Sequence, residues 1–156
     1  MSHIIAAIDF STVSEFVISE SQSLAVAFQS KLTLLHVAAP NPSFVGFEAG
    51  PQGVRDARAR ELREEHRMLQ GHAVELQKHG IEARGVLVEG ETVATILREA
   101  ANLAARYIVV GSRGHGAIYN ALIGGVSTGI IAGASCPVLV VPVPSGHSSD
   151  GGDALG

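Results

Sequence analysis

The chain predicts an α/β fold, a single doubly wound parallel sheet of five strands, on three observations. Five short apolar runs alternate with four segments of helical character, the order that gives a parallel sheet with helices on both faces. The second and fourth runs, Lys31 to Ala38 and Tyr107 to Val110, are apolar without alternation, as strands buried on both faces are. A glycine-rich turn, Gly111-Ser-Arg-Gly-His-Gly116, directly leaves the fourth run, and ligands in such sheets bind beyond the carboxyl ends of strands.

The first strand is His3 to Ile8, stopped by Asp9. Thr12-Val-Ser-Glu15 has the form of a capping box, with Val13, Phe16, Val17, Leu24 and Phe28 following at mostly helical spacing. Lys31 to Ala38 is the second strand. Ala39 to Gly53 is a loop rich in proline and glycine that carries Phe44 and Phe47. Leu62, Leu69, Ala73 and Leu76 share one face of a long helix over roughly Val54 to His79, which Gly80 ends. Ile81 to Glu89 is the third strand, and Glu91 to Ala105 the third helix, with Val93, Ile96, Leu97 and Leu103 inward. The fourth strand ends at Gly111, a short helix covers Ile130 to Ala134, and Pro137 to Val143 is the fifth strand. The domain spans 1–144, and the Gly/Ser/Asp-rich 145–156 reads as a disordered tail.

A length of 156 residues suits one domain able to bury about two-thirds of its unfolded surface. The net charge of -4 offers no basic face, which excludes a nucleic-acid partner. No apolar run approaches the roughly 20 residues of a membrane span. The first apolar run is too short for a secretory signal. Cys136 stands alone, so no disulfide framework exists, and a reducing, cytoplasmic setting is expected.

Between Ala100 and Ser149 there is no Asp, Glu or Lys, and the only full charges are Arg106 and Arg113. Bare main-chain N–H groups at a glycine turn, with no competing carboxylate, suit a phosphate. Familiar glycine motifs do not fit. No Gly-Lys-Ser/Thr occurs, so this is not a P-loop. The spacing reverses GxGxxG and follows the fourth strand rather than the first. A receiver domain fails too, because Asp9 stands alone after the first strand and no Lys follows the fifth.

What remains resembles the universal stress protein family in its ATP-binding branch. That family's mark is Gly-x-x-Gly, nine residues, then Gly-Ser/Thr; here Gly111, Gly114 and Gly124 fall at the three glycine positions. Asp9-Phe-Ser11, Leu35-His-Val37, Val126-Ser127 and Cys136-Pro-Val-Leu-Val-Val141 extend the likeness from Ile4 to about Pro142. The resemblance implies strand order 3-2-1-4-5, an adenine nucleotide alpha hydrolase-like arrangement, with ATP (or ADP or AMP) at the switch point. It places the Ala7 and Val37 backbones at adenine. Asp9 falls near the ribose, or near Mg²⁺ or Mn²⁺ on the phosphates. Gly111, Ser112, Arg113, Gly114, His115, Gly116 and Ala117 fall at the phosphates, with Gly124, Gly125, Val126 and Ser127. It also implies a homodimer through the last strand, whose apolar edge invites pairing.

Ala7 replaces a frequent Pro of the pattern, and Gly125 replaces its Ser/Thr. The lost hydroxyl removes roughly 1.5–3 kcal/mol, about ten- to a hundredfold in affinity. Ser127 and Thr128 remain as hydroxyl donors, so weakened binding is expected rather than none. Two rival readings stand beside it: a nucleotide-independent dimeric interaction protein, and a slow metal-dependent ATP hydrolase. No nucleophile, base and orienting acid fall in a recognisable arrangement, so no catalytic residue is assigned. The glycines and Asp9 each have a bland alternative beside the ligand role, shaping a connection and capping a turn, whereas His36 reads as a satisfied sheet histidine. The Arg/Glu run from Arg55 to Arg67 is a solvated helix face. His66, His72 and His79 are wrongly spaced for a metal, and Cys136 is buried and inert.

Overall fold

A computed structural model describes residues 1–40, 52–113 and 124–144. Nine elements run in the order β1 (His3–Ala7), α1 (Ser14–Phe28), β2 (Lys31–Ala38), α2 (Gln52–Lys78), β3 (Ala83–Glu89), α3 (Thr92–Asn102), β4 (Tyr107–Gly111), α4 (Gly125–Gly133) and β5 (Val138–Val141). The strands form one parallel sheet in the order β3-β2-β1-β4-β5, which the family resemblance implied. Ile5 pairs with Thr33 on one side and Ile108 on the other, so β1 is central and the order reverses between β1 and β4.

Alternation along each strand sorts the apolar side chains into two cores. Ile4, Ala6, Ile8, Leu32, Leu34 and Val109 face α1 and α2, meeting Val17, Ala25, Leu69 and Leu76. Ile5, Leu35, Val37, Ile108 and Val110 face α3 and α4, meeting Ile96, Ala100 and Ile130. Leu69, Ile108 and Ile130 are wholly buried, each contributing about 1.5–3 kcal/mol. Both cores thin out at the carboxyl ends of β1, β2 and β4, where a cavity opens between them.

Several boundaries differ from the sequence expectation for local reasons. No capping box forms at α1: its N-cap is Val13, with no side-chain bond. Phe10 turns the chain at a φ of 61°, and Ser14 N–H donates to Ser11 O at 3.0 Å, so Ser11 to Val13 are spent in a turn. The buried stripe of α1 is Ser14, Val17, Ser21 and Ala25, while Phe28 lies at the surface beneath the Arg106 guanidinium. Helix α3 ends at Asn102, because Ala104 adopts a φ of 48° that no helix continues. Strand β3 starts at Ala83 and β5 spans only Val138–Val141. Helix α4 starts at Gly125, five residues before the expected helix, so Gly125 to Gly129 are helical as well.

Two glycines of α4 are required by packing. A Cβ at Gly129 would sit 2.9 Å from Val93 Cγ2, and one at Gly133 2.6 Å from Leu97 Cδ1. A third at the same spacing, Gly125, meets nothing within 4 Å. Glycine is needed twice to bring α4 against α3, and at position 125 it leaves open space.

Candidate functional site

The cavity of about 380 Å³ lies at the switch point of the sheet. Ala7, Ile8, Leu35, Val37, Ile96 and Val110 form its apolar walls, and Thr92 and Ala39 stand at its rim. Asp9, Gly111, Arg113, Gly124, Gly125, Val126 and Ser127 complete the described lining. The structure therefore gathers residues far apart in sequence, Asp9 and the Gly111 turn among them, as expected if β1 and β4 are neighbours. Ser112 is buried beside this lining, and Gly114, His115, Gly116 and Ala117 lie outside the described residues.

Helices α1, α3 and α4 begin beside the cavity, and each beginning exposes N–H groups with no intrahelical partner. Helix α3 satisfies its own: Glu91 Oε1 accepts from Val93 N–H at 3.1 Å and Oε2 from Ala94 N–H at 2.6 Å. Ahead of α1, Asp9 Oδ1 accepts from Ser11 N–H at 2.9 Å, from the Ser11 hydroxyl, and from Ser14 Oγ at 3.0 Å. The capping reading of Asp9 thus holds for one carboxylate oxygen, while the residue still borders the cavity.

Helix α4 differs. Gly124 is its N-cap in extended geometry, with no side-chain cap. The first intrahelical bond runs from Thr128 N–H to Gly124 O, so the N–H groups of Gly125, Val126 and Ser127 precede the ladder. This start is fixed in place: Gly124 N–H donates to Ser112 O at 2.7 Å, and Ser112 N–H to Val141 O at 2.8 Å. Ser127 Oγ donates to Gly111 O, and Thr128 Oγ1 to Gly124 O at 3.0 Å. These two bonds correct the expectation that both hydroxyls stand ready as donors to phosphate. Their protons serve the backbone, leaving main-chain N–H groups and the exposed Arg113 guanidinium.

Among the described residues no group of three or more His, Cys, Asp or Glu side chains is placed to hold a metal ion. His36 is a satisfied sheet histidine: Nδ1 is 2.7 Å from Ile8 O, and Nε2 is 3.0 Å from Glu65 Oε2. Cys136 is half-buried rather than buried as expected, and the burial it has pushes its thiol up from its ordinary range, which agrees with an inert thiol. The Arg/Glu run of α2 is mostly solvated, with pairs such as Arg58–Glu61 and Arg67–Glu64. Two members turn inward, however: Glu65 to His36, and Arg58 to Ala39 O at 2.9 Å. Sequence reasoning missed both. The signal was spacing, since 58, 62, 65, 69, 73 and 76 form one helical stripe.

A parallel sheet with a crevice at its reversal point, an uncapped helix start and apolar walls defines a protein of the doubly wound α/β class, whose ligands bind at such crevices. The universal stress protein family model matches residues 1–142, and the chain belongs to that family. Its curated relatives include universal stress protein YxiE of Bacillus subtilis, 29% identical over 88% of this chain and 96% of that protein. A Thermus aquaticus universal stress protein is 32% identical over 75% of this chain and 81% of its own. The solved structure of hypothetical protein MJ0577 superposes with a TM-score of 0.77 at 23% identity, covering 92% of this chain and 96% of that one. An Arabidopsis thaliana family protein with AMP bound gives 0.63 at 20% identity, covering 93% and 94%. An Archaeoglobus fulgidus universal stress protein in complex with dAMP gives 0.62 at 20%, covering 90% and 97%. At these identities the structural likeness establishes the fold. No described helix is long and apolar enough to cross a membrane.

Proposed function

We propose that this chain binds an adenine nucleotide in the switch-point cavity and acts as a nucleotide-dependent regulatory module of the stress response. The observation that carries the reading is the start of α4. It faces the cavity without a side-chain cap, while Glu91 caps the start of α3 beside it. A helix N-terminus with aligned N–H groups favours an anion by about 0.3–1 kcal/mol through its dipole, and each charge-assisted bond adds roughly 1.5–3 kcal/mol.

In this reading the phosphate rests on the N–H groups of Gly125, Val126 and Ser127, with Arg113 as counter-charge. The Gly111 to Ala117 turn contributes as the family motif implies. The base lies between Ala7 and Val37, and the ribose lies near Asp9. AMP and dAMP in family structures support the adenine nucleotide class, and the glycine spacing supports ATP and ADP as well. Asp9 is the single acid bordering the described cavity, so Mg²⁺ or Mn²⁺ would be held through the phosphates. That donor set favours binding over hydrolysis.

The test is calorimetry on protein freed of ligand by denaturation and refolding, titrated with AMP and ATP. Saturable one-to-one binding below millimolar ligand is expected, and no heat with either nucleotide would overturn the reading. A second proposal rests on β5. It is the sheet edge, with Leu139 36% exposed, and we propose that it pairs with a second copy to form a homodimer. A monomer in sedimentation at micromolar concentration would contradict that assembly. Because the proposed function is regulatory, an intracellular, cytoplasmic setting belongs with the proposal.

A further inference from the structure

The nucleotide reading makes no use of the buried histidine of β2. His36 is 8% exposed, and each ring nitrogen meets an oxygen. A carbonyl oxygen only accepts, so Nδ1 carries a proton and donates it to Ile8 O. The second ring nitrogen, Nε2, lies 3.0 Å from Glu65 Oε2. The histidine thus ties α2 to the last residue before Asp9.

The turn it grips is a strained one. Phe10 has a φ of 61°, unfavourable for a residue with a Cβ, and such a conformation persists only where its surroundings hold it. The Phe10 ring lies against His36, with centroids 4.7 Å apart and planes tilted by 54°. On the strand side, Ile8 N–H donates to Leu35 O at 2.8 Å. Ile8 and Asp9 both line the cavity. Helix α2 makes a second polar contact with the cavity rim through Arg58 and Ala39 O.

We propose that His36, held between Glu65 and Ile8, is a positioning residue that clamps the Ile8–Phe10 turn at the cavity and couples α2 to nucleotide affinity. This rests on the nucleotide-binding reading. Glu65 is not among the described lining residues, and its hydrogen bond runs to His36. Losing its contact frees the ring to rotate away from Ile8 O, and the turn that carries Asp9 loses its outer support.

The experiment has two readouts on the full chain. Ring-nitrogen NMR of the ligand-free protein is expected to show a proton held on His36 Nδ1 by Ile8 O, and Glu65→Ala is expected to lose that fixed hydrogen bond. AMP titration is expected to give about three- to tenfold weaker binding for Glu65→Ala, the scale of one buried hydrogen bond. Glu65→Gln keeps a partner for Nε2 and is expected to stay within about threefold of the parent. A His36 ring without a proton on Nδ1 in the parent protein would overturn the clamp, and so would parental AMP affinity in Glu65→Ala. If Glu65→Ala fails to fold, the parent's ring signature and the affinity of Glu65→Gln still decide. If the parent binds no nucleotide, the functional reading falls, while the ring signature still judges the clamp.

Discussion

Helices α3 and α4 begin beside the same cavity and pack against each other, yet their first turns are opposite in chemistry. Helix α3 opens with Glu91, whose two carboxylate oxygens take the N–H groups of Val93 and Ala94. Helix α4 opens with Gly124 and Gly125, and no side chain caps it. Capping residues contribute about 0.5–2 kcal/mol, so an uncapped start is a cost the fold carries. The cost is localised at the turn that Ser112 and Ser127 bond into place. A helix start that is rigid, uncapped and open to a cavity is suited to an outside anion. The same helix supplies an internal control, because its packing glycines, Gly129 and Gly133, do a different job from Gly125.

The largest expected effect comes from making α4 begin as α3 does. Position 124 has extended backbone, and a Cβ there would meet Ser112 O at 3.4 Å, ordinary contact. Gly124→Asp should cap the helix, raising stability by up to about 1 kcal/mol. Its carboxylate should weaken AMP binding about ten- to a hundredfold, read by calorimetry beside thermal melts. The converse, Glu91→Ala, should cost α3 about 1 kcal/mol and leave AMP affinity within about threefold. Equal loss of affinity in both variants would erase the distinction between the two starts.

A second contrast lies within α4. Gly129→Ala drives a Cβ into Val93 and should cost about 1–3 kcal/mol, whereas Gly125→Ala meets nothing and should be neutral or stabilising by up to about 1 kcal/mol. Urea unfolding of the two variants measures the difference. Equal destabilisation would show that Gly125 is also a packing residue.

The smallest effect belongs to the opposite end of the sheet, remote from the cavity. His3 Nε2 lies 2.6 Å from Thr33 Oγ1, and burial, then the Arg84 and Lys31 cations, hold its ring below the ordinary histidine range. The native ring stays neutral while the unfolded chain takes up a proton as pH falls through about 6.5. Stability from His3 is therefore present above that value and lost below it. Urea midpoints should fall slightly between about pH 7.5 and about pH 5.5, and less so in His3→Gln. An identical fall in His3→Gln would assign the slope to other groups.

Much of this was legible in the sequence because burial on both faces leaves a strong mark. Leu32, Leu34, Leu35 and Val37 in β2, and Ile108 to Val110 in β4, are buried where the apolar runs placed them. Gly80, with a φ of 80°, ends α2 as a left-handed glycine should. The start of α4 was not legible, since Gly124 and Gly125 read as a turn by propensity. Tertiary demands overrode it: Gly129 and Gly133 must be small to meet α3, and Ser127 must reach Gly111 O. The α1 cap misled for a similar reason, because the left-handed Phe10 puts Ser11 to Val13 in a turn that Asp9 ties together, and no side chain caps the helix. In the site, the glycine spacing brought Gly111 and Gly124 to one cavity as expected, but the commitment of Ser127 and Thr128 to carbonyls depends on geometry no spacing reveals. Glu65 was hidden by its charged neighbours, although it sits on the Leu62–Leu69 stripe.

The central claim is that a nucleotide phosphate takes the main-chain N–H groups which α4 leaves to it. Titrating AMP into isotopically labelled protein and following backbone amides tests this directly. The amides of Gly125, Val126 and Ser127 should shift together and saturate with one affinity, while those of Val93 and Ala94, already held by Glu91, should move little. Saturable binding that leaves the three α4 amides in place would contradict the account.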